Sequence, residues 1–90
     1  MTAEQREVFR IALLQILEAN KAQFGLPAWA ITTHVRKIYG FPKASSAEVG
    51  AELTYLRDKS LVEPVNKVVS PENSAWRITA AGRDYLAQAE

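Results

Sequence analysis

Cysteine is absent from the sequence, which excludes disulfide bonds, thiolate catalysis and zinc sites built from thiolates. Long hydrophobic runs are absent too: the longest have only a few residues, far below the roughly 20 that span a bilayer. No basic stretch leads into an apolar segment at the N-terminus, so we expect no signal peptide, no membrane association and a cytoplasmic protein. The 90 residues leave room for one core, and we expect a single domain over residues 1–90.

A strong excess of one charge is also missing, because 11 Lys and Arg are balanced by 10 Asp and Glu. With a formal net charge of +1, nucleic-acid binding would need a local basic patch. The sequence contains no phosphate-cradling glycine loop, no metal-ligand spacing and no Ser/His/Asp set, so we expect no enzyme, no cofactor and no metal site. Glu48 and Glu52 share a helix face at i, i+4 and are interpreted as solvated carboxylates.

The N-terminal part of the chain predicts a long amphipathic helix. Thr2 and Gln5 have the spacing of a capping box, and apolar residues follow at helical intervals. The helix is expected over Ala3–Gln23, ending at Gly25, whose freedom at positive φ suits a left-handed cap. Its apolar face is wider than one core contact needs. If the chain forms a homodimer, we therefore expect the contact through helix 3–23.

Two further helices are predicted on either side of a tight turn. One covers Ala28–Tyr39, and the other covers Ser46–Lys59 behind a second capping box formed by Ser45 and Glu48. Their predicted buried residues recur at helical spacing: Ile31, Val35 and Ile38, then Val49, Leu53 and Leu56. Two helices joined in this way are typical of a helix-turn-helix.

The chain then changes character and predicts a β-hairpin. Leu61–Val69 is rich in Val and partly alternating, although Pro64 restricts it to a sheet edge. After a turn cluster, Ala75–Ile78 returns as the second strand, and Thr79 caps a last helix over Ala80–Gln88. The predicted fold class is mainly α with a small β-hairpin: a winged helix-turn-helix with a three-helix core, a two-stranded wing over 61–78 and a C-terminal helix.

Two stretches, ELTYLRDKSLVE at 52–63 and WRITAAGRDYL at 76–86, resemble segments of the winged helix-turn-helix superfamily of small transcription regulators, such as the MarR and PadR groups. The resemblance implies a small DNA-binding regulator of transcription. Ser60 departs from the pattern because a glycine is usual after the recognition helix, so we expect the left-handed turn there to be either slightly strained or built differently. Gly82 is interpreted as a point where another part of the backbone approaches closely.

The resemblance implies that the third helix enters the major groove of double-stranded DNA. The predicted outward residues are Ser46, Ala47, Ala51, Thr54 and Tyr55, with Asp58 near the end. This face has no Arg, Asn or Gln for bidentate base contacts, so direct readout should be weak. Thr54 is assigned to a thymine methyl or a base acceptor, and the hydroxyls of Ser46 and Tyr55 to phosphates.

Basic and hydroxyl side chains elsewhere are predicted to contact the DNA backbone. They are Thr33, Arg36 and Lys37 on the second helix, Lys43 in the turn, Arg57 and Lys59 at the end of the third helix, and Lys67 and Arg77 on the wing. The two wing residues are positioned to straddle a minor groove. Each of these side chains, taken alone, is also consistent with an ordinary solvated group on the surface. As a set, they favour binding to the DNA backbone.

Trp29 projects away from the buried stripe of its helix, and two interpretations stay open. It either folds back over the end of the first helix or acts as an aromatic anchor for a partner protein. Trp76 is expected in the core, and His34 is interpreted as a surface residue without a second metal ligand. The near-neutral charge, the acidic third helix and Trp29 together support an alternative function, a winged-helix adaptor that binds protein instead of DNA.

Overall fold

The computed structural model describes residues 2–20, 25–65 and 75–89. Four helices and three short strands follow in the order α1 (Ala3–Ala19), β1 (Leu26–Pro27), α2 (Ala28–Lys37), α3 (Ser46–Asp58), β2 (Val62–Pro64), β3 (Ala75–Ile78) and α4 (Ala80–Ala89). The predicted class, mainly α with a small β-sheet, is confirmed. None of the helices in these ranges is long and apolar enough to cross a membrane.

Both predicted capping boxes are present and fix where α1 and α3 begin. The Thr2 hydroxyl accepts a hydrogen bond from the Gln5 amide at 3.1 Å, and the Thr2 amide donates to the Gln5 side chain at 3.0 Å. Ser45 and Glu48 repeat this reciprocal pair at 3.1 Å in each direction. Each box satisfies two amides that the first helical turn leaves without partners, so both starts agree with the sequence.

Helix α1 is the centre of the fold, because it packs against α2, α3, α4 and β3. These contacts cover most of its apolar face; the homodimer through helix 3–23 stays a prediction. Of that face, Val8 remains 57% exposed and Ile11 is partly buried. The helix ends at Ala19, not at Gln23, and the amide and side-chain nitrogen of Asn20 both donate to the Ile16 carbonyl.

The second helix is also shorter than predicted, ending at Lys37 instead of Tyr39. Ile38, predicted in the buried stripe, is 66% exposed, because the chain leaves the helix there and turns through Gly40 at a φ of +79°. Phe41 then returns to the core, where its ring centroid lies 5.0 Å from that of Phe9. This turn places the start of α3 next to the end of α2.

The sheet has three strands in the order β1-β3-β2, where the sequence predicted two. Strand β1 pairs antiparallel with β3 through Leu26 opposite Trp76, and its two-residue length explains why no periodic pattern signalled it. Within the predicted strand Leu61–Val69, the structure describes residues 61–65, of which Val62–Pro64 form β2. Residues 66–69 lie outside the described residues. The edge position predicted from Pro64 is confirmed.

A left-handed turn joins α3 to β2. Ser60 has a φ of +63°, its amide donates to the Arg57 carbonyl at 2.8 Å, and the Leu61 amide donates to the Leu56 carbonyl at 2.9 Å. These two bonds define a Schellman motif with serine in the position that glycine usually occupies. The left-handed conformation expected at Ser60 is therefore confirmed.

The same turn supports the start of α4. Thr79 caps that helix by accepting from the Gly82 amide at 3.0 Å, and its hydroxyl donates to the Ser60 carbonyl at 2.7 Å. The Thr79 amide donates to the Leu61 carbonyl at 3.0 Å. A Cβ at Gly82 would overlap that Leu61 oxygen and lie 2.7 Å from Cγ1 of Ile78, so the predicted close backbone approach is confirmed.

Candidate nucleic-acid interface

The inner side of α3 is buried and its outer side is open to solvent. Val49 and Leu53 are 0% exposed and Leu56 is 1% exposed, as predicted. The outer face of α3, defined by Ala47, Ala51, Thr54 and Asp58, is exposed over its whole length. Ser46, at the start of the helix, is exposed as well.

Thr54 is the one residue of this outer face with a hydroxyl, and that hydroxyl is already bonded. Its Oγ1 donates to the Gly50 carbonyl one turn earlier at 3.0 Å. The single hydroxyl proton is thereby committed, so Thr54 offers its methyl group and its oxygen lone pairs to a partner. Of the two assignments made from the sequence, the thymine methyl and donation to a base acceptor, this geometry favours the methyl.

Tyr55 lies on the flank of α3 that faces α1. The guanidinium carbon of Arg10 lies 3.7 Å from the centre of the Tyr55 ring, and the Lys59 ammonium lies 5.7 Å from it. Tyr55 is 38% exposed. Its ring therefore forms cation–π contacts within the chain. The phosphate contact of its hydroxyl is separate from these and stays a prediction.

Arg10 is held in that position by Glu52, which corrects the interpretation of Glu52 as a solvated carboxylate; Glu48 is exposed, as interpreted. Arg10 Nε donates to Glu52 Oε2 at 2.5 Å, and the two side chains are only 18% and 14% exposed. Burial by itself lowers the pKa of Arg10, but the hydrogen bond that Arg10 donates to Glu52, together with the charges around it, chiefly that of Glu52, outweighs burial and raises the pKa. Glu48 serves the capping box, so both carboxylates have structural partners.

The arginines among the predicted backbone contacts are partly engaged within the chain. Arg36 Nε donates to the Ala44 carbonyl at 2.6 Å, which ties the end of α2 to the turn before α3. Arg77 pairs with Glu63 at 2.5 Å between β3 and β2, and Arg57 lies 3.7 Å from Asp58. All three residues are nevertheless exposed.

The lysines differ from the arginines. Lys37 and Lys43 are exposed and make no ion pair with any residue of the described ranges. Lys59 contacts the Tyr55 ring, and Lys67 lies outside the described residues. Thr33, also exposed, donates its hydroxyl to the Trp29 carbonyl at 3.0 Å. Lys37 and Lys43 are therefore the cations most available to a phosphate.

Trp29 is 69% exposed, so the described part of the chain leaves most of it uncovered, and it does not fold back over α1 as one interpretation had it. It borders a groove of about 560 Å³ whose lining residues come from α2, α3 and β3: Ala28, Trp29, Ser46, Ala47, Gly50, Thr54 and Trp76. Trp76 is 7% exposed, as expected for a core residue. No local pattern indicated this groove, because its walls come from segments far apart in the chain.

The predicted residues are thus divided between the two flanks of α3. Ala47 and Thr54 line the groove beside Trp29, whereas Lys43 lines a separate depression with Glu48 near the start of the helix. Lys59 and Tyr55 line a third hollow that Arg10 and Tyr85 complete. The outer face of α3 lies between these flanks.

No metal centre is formed by the described residues, among which no three His, Cys, Asp or Glu side chains cluster. His34 uses its Nδ1 to donate to the Ala30 carbonyl at 2.8 Å, within its own helix. Comparison of the chain with protein-family models, curated proteins and solved structures finds no match.

Proposed function

We propose that this chain is a winged helix-turn-helix domain that binds double-stranded DNA and regulates transcription, with α3 in the major groove and the β2–β3 hairpin on the adjacent backbone. The observation that carries the proposal is the two-sided character of α3. Its inner side is part of the core, while its outer face is exposed and bears mostly short side chains. A helix of this kind fits into a groove about 12 Å wide.

The order and pairing of the elements support the same proposal. A short strand precedes α2, a tight turn separates α2 from α3, and β2 and β3 pair antiparallel directly after α3. This is the element order of a winged helix. The bond from Arg36 to the Ala44 carbonyl holds the turn between the two helices, so α3 has a fixed direction relative to α2.

Sequence-independent affinity would come from the exposed cations around α3. Each phosphate neutralised by Lys or Arg releases a counterion, so the observed affinity falls with salt by about 0.9 log units per contact and per log unit of salt. Lys37 and Lys43 need break no ion pair in the described chain before binding. Arg77 must first leave Glu63.

A titration of the full chain with a mixed-sequence duplex, followed by amide NMR shifts at low and moderate salt, tests the proposal. We expect shifts on α2, α3 and the wing strands. Lys43→Gln should weaken binding on every sequence and reduce the salt slope by about 0.9. Arg83→Gln, an equal charge change on α4 that removes the partner of Glu18 (3.2 Å from Arg83 Nε), is the control and should leave the slope unchanged. Shifts confined to α1 and α4, or no binding at low salt, would contradict DNA binding.

The exposed Trp29 favours a second candidate function, a protein-binding adaptor. An aromatic side chain that is 69% exposed beside an apolar groove is typical of an interface anchor. The test is capture of a partner from nuclease-treated lysate, followed by a direct affinity measurement with that purified partner. Loss of affinity in Trp29→Ala supports the adaptor; retention of nucleic acid alone eliminates it.

A further inference from the structure

Methyl groups dominate what the outer face of α3 offers to a ligand. Ala47 and Ala51 present only a methyl, and the hydroxyl proton of Thr54 is committed to the Gly50 carbonyl, which leaves its Cγ2 methyl as the group free to make contact. Asp58 is the one longer polar side chain of this face; it lies in the last turn, 3.7 Å from Arg57. Within this outer face, the residues of the first three turns, Ala47, Ala51 and Thr54, therefore carry no free donor that reads a base edge.

The groove beside Thr54 extends this apolar surface. Ala47 and Thr54 form one wall of it, and Trp29 and Trp76 supply two aromatic side chains. Few groups at the base edges of a nucleic acid can make apolar contacts, because these edges consist mostly of hydrogen-bond donors and acceptors. In the major groove, the distinguishing apolar group is the C5-methyl of thymine.

We propose that α3 reads the C5-methyl groups of thymine, with Thr54 as the residue that determines this specificity; the inference rests on the proposed DNA binding. Removing one contacted methyl from the DNA should weaken binding about fourfold, the factor that corresponds to burial of one methyl group. Preference would therefore follow the presence of 5-methyl pyrimidines in the site.

The experiment compares the full chain on an A·T-rich duplex and on the same duplex with deoxyuridine in place of thymidine, which removes only the methyl groups. We expect the uracil duplex to bind at least fourfold more weakly at equal salt, with an unchanged salt slope. Methylation of cytosines at C5 in a G·C-containing duplex should strengthen binding, because it adds a methyl at the same position of the major groove.

Two serine variants locate the contact. Thr54→Ser removes the methyl and keeps the hydroxyl that bonds to Gly50, so it should reduce the difference between thymine and uracil duplexes about fourfold. Thr2→Ser is the matched control, since Thr2 is exposed at the start of α1, away from the proposed DNA contacts, and serine keeps the hydroxyl that accepts from the Gln5 amide. It should leave that difference intact.

The possible outcomes distinguish a failure of methyl reading from a failure of DNA binding. Equal binding of thymine and uracil duplexes, with a normal salt dependence, overturns methyl reading and leaves DNA binding standing. A thymine preference that Thr54→Ser does not change overturns the assignment to Thr54. Absence of binding to every duplex at low salt overturns both the inference and the proposed function.

Discussion

At the scale of single residues, Gly82 is the described glycine with the least room for a side chain. A Cβ there would overlap the carbonyl oxygen of Leu61, which is itself fixed by the amide of Thr79. We expect Gly82→Ala to lower the free energy of unfolding by about 1–3 kcal/mol or more, because backbone must move to admit the methyl. Urea denaturation of the two proteins measures the difference.

Gly50 provides the matched substitution, because no described atom lies within 4 Å of the Cβ that alanine would add there. It lies inside α3 with an ordinary helical backbone. Gly50→Ala should therefore raise stability by about 0.5–1 kcal/mol, the usual gain of alanine over glycine in a helix interior. Equal effects at Gly50 and Gly82 would mean that the contact between α4 and Leu61 is not as close as described.

Ser60 carries the left-handed turn that ends α3, and a side chain in that conformation costs about 1–2 kcal/mol. Glycine avoids this cost but loses more entropy on folding, so we expect Ser60→Gly to stabilise the protein by about 0.5–1 kcal/mol. The check is a higher urea midpoint with an unchanged denaturant slope. Ser60→Ala keeps a Cβ in the turn and should bring no gain; a gain from alanine would point to the serine hydroxyl instead.

At the scale of elements, polar side chains link α1 to both α3 and α4. Arg10 joins α1 to α3 through Glu52, and the Tyr85 hydroxyl on α4 donates to Glu7 on α1. Because Arg10 also stacks on Tyr55, the same link orients one flank of the proposed DNA-contacting helix. The position of α3 thus depends on these polar contacts as well as on its buried leucines.

The Tyr85–Glu7 contact predicts a loss of stability in alkali. The hydrogen bond to Glu7, then burial and the charge of Glu7, raise the pKa of Tyr85 above its usual value near 10. Below about pH 10 this contribution is fully present, since Tyr85 is protonated in both states. At higher pH the unfolded chain loses the proton first, so the folded state binds more protons and stability falls as pH rises.

Urea unfolding at about pH 8 and about pH 11 measures this dependence. Tyr85→Phe removes the titrating phenol and Glu7→Gln removes the carboxylate that raises its pKa. Both variants should lose less stability between the two pH values than the parent protein. If the parent and both variants lose the same amount, the contact between α4 and α1 does not contribute to the alkaline response.

The elements that the sequence predicted correctly are those with local chemical signals. Capping residues marked the starts of α1 and α3, and Pro64 marked an edge strand. The ends of α1, α2 and α3 were predicted too late, whereas α4 runs one residue beyond its predicted end at Gln88. In α2, the apolar spacing continues through Ile38 while the backbone has already left the helix. Strand β1 had no local signal at all, since its two residues are ordered by pairing with β3.

The candidate site was predictable to a similar extent. Helical projection correctly separated the buried side of α3 from its exposed side and assigned Trp29 to the exposed side of α2. It did not predict that Arg36 bonds to Ala44, or that Glu52 pairs with Arg10, because such partners are set by the packing of separate elements. The groove beside Trp29 was missed for the same physical reason.

At the scale of the whole molecule, the net charge is nearly neutral. The affinity for a polyanion such as DNA therefore depends on which individual cations are paired with acidic residues of the chain. Arg77 on β3 is paired with Glu63 on β2, and both side chains are exposed, 56% and 44%. An exposed pair of this kind contributes only about 0–1 kcal/mol to folding. The pair nevertheless places the negative charge of Glu63 beside Arg77, one of the cations predicted to contact the DNA backbone. This charge weakens the attraction between the β2–β3 hairpin and phosphate.

Glu63→Gln should therefore increase affinity for duplex DNA, because it removes that negative charge and leaves Arg77 with a weaker, neutral partner. The salt slope should become steeper by about 0.9 if Arg77 then neutralises one more phosphate. Asp84→Asn, an equal charge change on an exposed residue of α4, is the control and should alter the slope little, since charges beyond about 10 Å are screened at 0.1 M salt. Fluorescence anisotropy across a salt series measures both slopes. An unchanged slope in Glu63→Gln would mean that Arg77 does not reach the backbone, and would leave Lys37 and Lys43 as the cations on which affinity depends.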